Sequence, residues 1–270
     1  MHERLDAGEQ RHRELLLIKE VNLTTIVHPR AAAYESSTPK EVPMKISVLG
    51  TAIVGKTLAG KLSSLGHDVM IGTRDPAASR ARTAPGSFGE PPLSTFLAEH
   101  PSVTLGTFAE AAAHGEIVFN ATSGLNALDA LKLAGAANLE GKIVVDASNP
   151  LDFSRGMPPS LTVCNDDSLG EQIQRALPGA RVVKTLNTVN AYLMVEPRLL
   201  ADGDHTMFVC GDDADAKATV TTLLTDWFGW RDVIDLGGIA MSRGTEMYLP
   251  LWVRLYGALQ NPMFSVKVVR

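Results

Sequence analysis

The chain has 270 residues, 45% hydrophobic and 20% charged, the balance of a globular protein able to bury a substantial core. A net charge of −5 and a pI near 5.8 offer no general attraction to nucleic acid or to an anionic membrane surface, and neither is expected as a partner. Cys164 and Cys210 lie far apart without a CxxC, and the histidines show no zinc-type spacing; a reduced, cytoplasmic setting with two buried thiols and no metal site is expected.

Residues 1–43 are charged at their start, carry a short apolar patch at 15–18 and continue through several prolines and serines. No uninterrupted apolar stretch is followed by a small-residue cleavage site, so the segment does not read as a signal peptide. It is expected to be a disordered extension, with Met44 the natural beginning of the first strand.

Residues 44–75, MKISVLGTAIVGKTLAGKLSSLGHDVMIGTRD, organise the rest. Residues 45–49 are a β-branched and aliphatic run, as suits a buried parallel strand. After Gly55, the spacing of Val54, Leu58, Leu62 and Leu65 predicts one apolar helix face, and Gly66 ends that helix. Residues 69–71 begin a second strand. Strand, glycine turn, helix and strand form a βαβ unit, the first half of a dinucleotide-binding sheet of Rossmann type.

Amides in the first turn of such a helix lack internal partners, and with the helix dipole they favour a pyrophosphate. The usual G-x-G-x-x-G reads here Gly50, Ala52, Gly55, so Gly50, Thr51, Ala52, Ile53, Val54 and Gly55 are candidate cofactor-binding residues. The second strand ends in Thr73-Arg74 where an NAD-preferring protein usually places Asp or Glu. A guanidinium matches a 2′-phosphate by charge and planar geometry, and Arg80 or Arg82 can add positive charge; NADP is favoured over NAD. Asp75, before Pro76, is expected to cap a turn.

Residues 76–106 read as an excursion over the sheet face with one helix around 94–99. A short helix over 107–114 and a strand over 116–120 follow, ending in Ala121, Thr122 and Ser123, where ligands of open α/β sheets bind. A capped helix start explains those three equally well. A strand over 142–146 leads to Asn149 and Pro150, and Pro150 forces an extended backbone at Asn149. A helix over 168–176 begins with Ser168 and Glu171 in capping-box spacing. A strand over 181–185 leads to the loop 186–190, containing Asn187. Three strand ends carrying Asn, Ser and Thr imply a cleft with neutral hydrogen-bonding walls. Strands over 205–210 and 233–236 flank a helix over 214–224. The apolar run 247–256, interrupted by Pro250 and Arg254, suits packing against the sheet or a second subunit and is too short to span a membrane.

These pieces, VLGTAIVG, IGTRDP, DASNPLDFSRGMPP, VVKTLNTVNAYLM, MFVCGDDADAK and SRGTEMYLPLWVRL in this order, resemble the NADPH-dependent coenzyme F420 reductase family from about residue 44 to 270. That group is similar in its dinucleotide module to pyrroline-carboxylate reductases and to the cytosolic domains of STEAP metalloreductases. The resemblance implies a doubly wound, mostly parallel sheet with a helical C-terminal addition, and hydride transfer between C4 of NADPH and C5 of the deazaflavin F420; a flavin-like acceptor in place of F420 is the other form of the same reading. It places residues 51–55 on the pyrophosphate, Thr73 and Arg74 on the 2′-phosphate, and Thr122, Ser123 and Asn149 beside the nicotinamide; Ala52 departs from the family's central glycine. Residues 44–185 would form the NADP-binding core, 186–270 would complete the sheet and substrate cleft, and a homodimer is expected. Such chemistry needs little from acids or bases, in keeping with a chain that shows no evident Ser-His-Asp, paired-carboxylate or Lys constellation.

Two other functions stay open at this level. One is NADPH-dependent reduction of a small imine or carbonyl, with Tyr192, Tyr248 or Lys184 as proton donor. The other is a non-catalytic NADPH sensor contacting a partner through 247–256.

Overall fold

A computed structural model describes residues 43–86 and 89–270; the expectation of a disordered extension falls on residues outside these. Six strands run parallel: β1 (Lys45–Leu49), β2 (Asp68–Thr73), β3 (Thr104–Thr107), β4 (Ile117–Asn120), β5 (Ile143–Asp146) and β8 (Arg181–Thr185). Between β5 and β8 a small antiparallel hairpin, β6 (Leu151–Asp152) with β7 (Ser160–Leu161), stands apart from the sheet. Two further strands, β9 (Thr206–Cys210) and β10 (Asp232–Asp235), pair parallel with each other, while β9 meets β8 antiparallel. The order is β10-β9-β8-β5-β4-β1-β2-β3.

The sheet is covered on both faces, so its central strands are buried on both sides, the polar Ser47, Lys184 and Thr185 included. In β1, Ile46 and Val48 join the core on one face, and Leu49 joins the core on the other. The first face carries α1 (Ile53–Ser64), α8 (Ala191–Val195) and α9 (Ala214–Thr222), through Leu58, Leu62, Leu193 and Val220. The opposite face carries α4 (Phe108–His114), α5 (Gly124–Ala134) and α7 (Leu169–Ala176), through Phe108, Ala127, Leu131 and Ile173. This is the doubly wound Rossmann-type architecture expected from the sequence.

Several local expectations change. The stretch 76–106 is no mere excursion. Besides the helix expected around 94–99, which is α3 (Leu93–Glu99), it holds α2 (Pro76–Ala81) and the edge strand β3, which pairs with β2 from Met70↔Thr104 to Thr73↔Thr107. TLGT has no apolar run to announce it; an edge strand takes its shape from its neighbour's hydrogen bonds. Leu65 follows α1 as its C-cap and is 43% exposed, off the buried face formed by Leu58 and Leu62. The helix expected over 214–224 ends at Thr222 and passes into a wider turn, Leu223–Trp227. At the C-terminus two helices, α10 (Ser242–Met247) and α11 (Leu249–Leu259), follow the short helix α6 (Ala136–Leu139) and the other helices above. Pro250 lies in the first turn of α11, where its missing N–H costs nothing, so it starts that helix and does not break it. Cys210 is buried, but Cys164 is exposed, so the expected pair of buried thiols is half right.

Candidate active site

Because β1, β2, β4, β5 and β8 are parallel, their carboxyl ends share one edge of the sheet. The chain runs from β1 outward to β2 and β3, then returns to β4 on the other side of β1. That reversal opens a crevice at the ends of β1 and β4, where open α/β sheets bind ligands.

Gly50 occupies the turn with φ +123°, and a Cβ there would lie 2.6 Å from the carbonyl oxygen of Ala121. The β1 and β4 ends are thus in backbone contact, and glycine is required. A Cβ on Gly55 would collide with the Gly50 carbonyl, so α1 starts hard against the strand that feeds it. Ala52 is the N-cap of α1, exposed, with an ordinary negative φ of −80°. Its methyl is accommodated without strain, so the departure from the central glycine leaves the turn intact. No side chain caps α1 and no acidic residue sits in its first turn, so its leading amides have no side-chain acceptor. Thr51, Ile53 and Val54 are half-buried around this turn. The arrangement suits an anionic bridge.

At the end of β2, Thr73 is buried and its Oγ1 lies 2.8 Å from Ser79 Oγ. Arg82 Nη2 donates to the same Ser79 oxygen at 2.7 Å. Ser79 escaped the sequence reading because its role depends on α2 folding back over β2. Arg74 and Arg80 are exposed. Asp75 accepts from Ala78 N at 2.9 Å as the cap of α2, the turn role expected of it.

The ends of β4, β5 and β8 carry a continuous polar network. Thr122 Oγ1 donates to Asn120 Oδ1 at 2.7 Å, and Asn120 Nδ2 donates to Asp146 Oδ1 at 2.8 Å. Ser148 Oγ donates to the same Asp146 oxygen at 2.7 Å. Asn149 and Asn187 form a reciprocal bridge: Asn149 Nδ2 donates to the Asn187 carbonyl at 2.8 Å, and Asn187 Nδ2 to Asn149 Oδ1 at 3.0 Å. Pro150 is buried beside them, and Ser123 is exposed, its Oγ accepting from Asn126 Nδ2. In the loop after β8, Thr188 Oγ1 is buried with no hydrogen-bond partner. Candidates from three loops far apart in sequence therefore stand on one edge, and Asn149 and Asn187 touch.

Beneath this edge lies a constellation the sequence did not reveal. Lys184 Nζ donates to Asp146 Oδ2 at 2.8 Å, to the Ser148 carbonyl at 2.6 Å, and meets Glu246 Oε1 at 2.8 Å. All three side chains are essentially sealed from solvent. Burial pulls the Lys184 pKa down, but Asp146 and Glu246 together outweigh it and the pKa is raised. With its three N–H donors committed, Lys184 is a poor proton donor to a ligand. Of the other two candidate donors, Tyr192 is 45% exposed, and the buried Tyr248 hydroxyl has no partner and a pKa raised by burial. Among the described residues no group of His, Cys, Asp or Glu has the geometry of a metal site.

Residues 45–150, which include the glycine turn and the ends of β2, β4 and β5, match the model of the family NADP oxidoreductase, coenzyme F420-dependent. Over 84% of this chain and 100% of the other, it is 58% identical to a protein of Arthrobacter sp. FB24 provisionally assigned as an F420-dependent NADP reductase, with a TM-score of 0.81. The chain belongs to the coenzyme F420-dependent NADP oxidoreductase family. It is an NADP-dependent oxidoreductase. The metalloreductase STEAP3 of Rattus norvegicus is 31% identical over 223 residues, 80% of this chain. This NADP oxidoreductase spans only 39% of that relative's length. A reductive aminase from Aspergillus terreus in complex with NADPH and ethyl levulinate matches at 15% identity and a TM-score of 0.54, over 81% of this chain and 63% of its own, a likeness of fold alone. No helix among the described residues is long and apolar enough to cross a membrane.

Proposed function

We propose that this NADP oxidoreductase moves a hydride between C4 of NADPH and C5 of a deazaflavin of the F420 type. The observation that carries the proposal is 58% identity, across the whole length of the other chain, to a protein provisionally assigned as an F420-dependent NADP reductase. The cleft supports it. Its walls offer hydroxyls, amides and carboxamides, and Lys184 has no N–H free to donate a proton. Hydride exchange between two flat heterocycles needs orientation more than acid–base help.

In this reading the amides of Gly50, Thr51, Ala52, Ile53, Val54 and Gly55 hold the pyrophosphate. Arg74 and Arg80 hold the 2′-phosphate, while Thr73 shapes that pocket from within through Ser79. Arg82, tied to Ser79, lends charge from one side. Thr122, Ser123, Asn149, Pro150 and Asn187 line the nicotinamide half, with the unpartnered Thr188 hydroxyl in the same loop as Asn187 available to a ligand amide. A homodimer is part of the proposal; Met247, Leu251 and Leu259 are exposed on α10 and α11 and offer apolar surface for it.

Mixing the protein with NADPH and F420 tests the assignment. Loss of the deazaflavin visible band with NADPH consumption supports it. Turnover of cyclic imines with an inert deazaflavin would move the assignment to imine reduction, and NADPH binding without turnover of either would mark a sensor.

A further inference from the structure

We infer that Asp146, Lys184 and Glu246 are positioning residues for the nicotinamide half of the cleft, anchoring the strand ends that face it to the C-terminal helices. The inference rests on the reading that residues 122 and 149 face the nicotinamide.

The connection is unbroken. Glu246 of α10 accepts from the first two amides of α7, Leu169 N to Oε2 at 2.8 Å and Gly170 N to Oε1 at 2.9 Å. Its Oε1 also meets Lys184, which grips both Asp146 and the carbonyl of Ser148. Asp146 fixes the Asn120 carboxamide, leaving its Oδ1 to accept from both the Thr122 hydroxyl at 2.7 Å and the Thr122 amide at 3.3 Å. The side-chain atoms of Asp146, Lys184 and Glu246 are between 0% and 2% exposed, so water cannot stand in for any of them. A buried ion pair is a weak contributor to net stability compared with apolar packing, but it holds one geometry strictly. Here that geometry is the set of the two loops that turn outward at the crevice. Two carboxylates face one ammonium, so neutralising either leaves a balanced pair in the core.

Asp146→Asn is therefore the informative variant, with Glu246→Gln as the second should the first fail to fold. Two ligands report on the two halves of the site: 2′,5′-ADP, titrated by calorimetry, reads the adenosine half, and NADPH adds the nicotinamide, whose emission changes when it is held. A positioning role predicts NADPH binding weaker by about tenfold or more, the scale of a lost charge-assisted bond. The nicotinamide emission should return toward that of free NADPH, while 2′,5′-ADP affinity stays within about twofold of the starting protein. Equal loss of both ligands, loss of 2′,5′-ADP alone, or a folded variant in which neither changes would overturn the inference. Neither readout uses an acceptor, so failure of the F420 assignment would show separately, in the turnover of the unmodified protein.

Discussion

Replacing Gly50 by alanine bears most directly on the architecture of the cleft. At φ +123° an alanine sits in a region nearly reserved for glycine, a cost of about 1–3 kcal/mol. The new methyl would also stand 2.6 Å from the Ala121 carbonyl oxygen, against a floor of 3.0 Å for real Cβ contacts, so about 0.4 Å must be found. The ladder cannot supply it easily, because Ala121 N donates to Leu49 O and Gly50 N to Gly72 O, each at 2.9 Å. Overpacking of this kind adds about 1–3 kcal/mol. The two effects together destabilise by roughly 2–6 kcal/mol, and at about 2–4 °C per kcal/mol for a chain of this size the melting temperature falls by on the order of 10 °C. Displacing the amides after Gly50 should also weaken NADPH by about tenfold or more. Gly66→Ala separates the two effects: φ is +92° but no atom lies within 4 Å of the added methyl. It should cost only the conformational term, about 1–2 kcal/mol, and leave NADPH binding untouched. The assay is a thermal melt of each variant with a calorimetric NADPH titration. A Gly50→Ala protein that melts as late as Gly66→Ala and binds NADPH like the unmodified chain would refute the reasoning.

Arg74→Ala should cut the preference for NADPH over NADH by about tenfold or more, by loss of a charge-assisted phosphate contact; the ratio of the two dissociation constants measures it. Ala52→Gly restores the usual central glycine. Since Ala52 is unstrained and exposed, NADPH affinity should change by less than about threefold, and stability should fall by about 0.4–1 kcal/mol through the freer unfolded chain. The hydrogen-bonded Arg175 guanidinium holds the Asp167 carboxyl down at about 2, below its ordinary 3.8. A depressed carboxylate pKa means stability present above pH 3.8 and lost as pH falls through about 2, so Asp167→Asn should flatten acid unfolding in that window. Burial pushes the Cys210 thiol up to about 12, while Cys164 is exposed; a disulfide reagent should titrate one thiol in the native protein and two after denaturation.

The sequence alone determined the doubly wound class and the place of the glycine turn between β1 and α1. Both follow from signals local in the chain: apolar runs fit for a doubly covered sheet, and glycines where a Cβ has no room. The cap at Ser168 was legible for the same reason, as its hydroxyl accepts from Glu171 N only three residues on. Tertiary structure alone decided what depends on neighbours distant in sequence. The strand β3 exists because β2 offers it an edge. Thr73 turns inward because Ser79 returns to meet it, and Cys164 lies exposed in one run with Asn165 and Asp166. Above all, Asn120, Asp146, Lys184 and Glu246 become one buried network only when four separate elements are packed together. Periodicity records which face of an element is buried; which charges meet beneath that face is settled by long-range pairing, and this left the cleft's polar foundation invisible until the chain was folded.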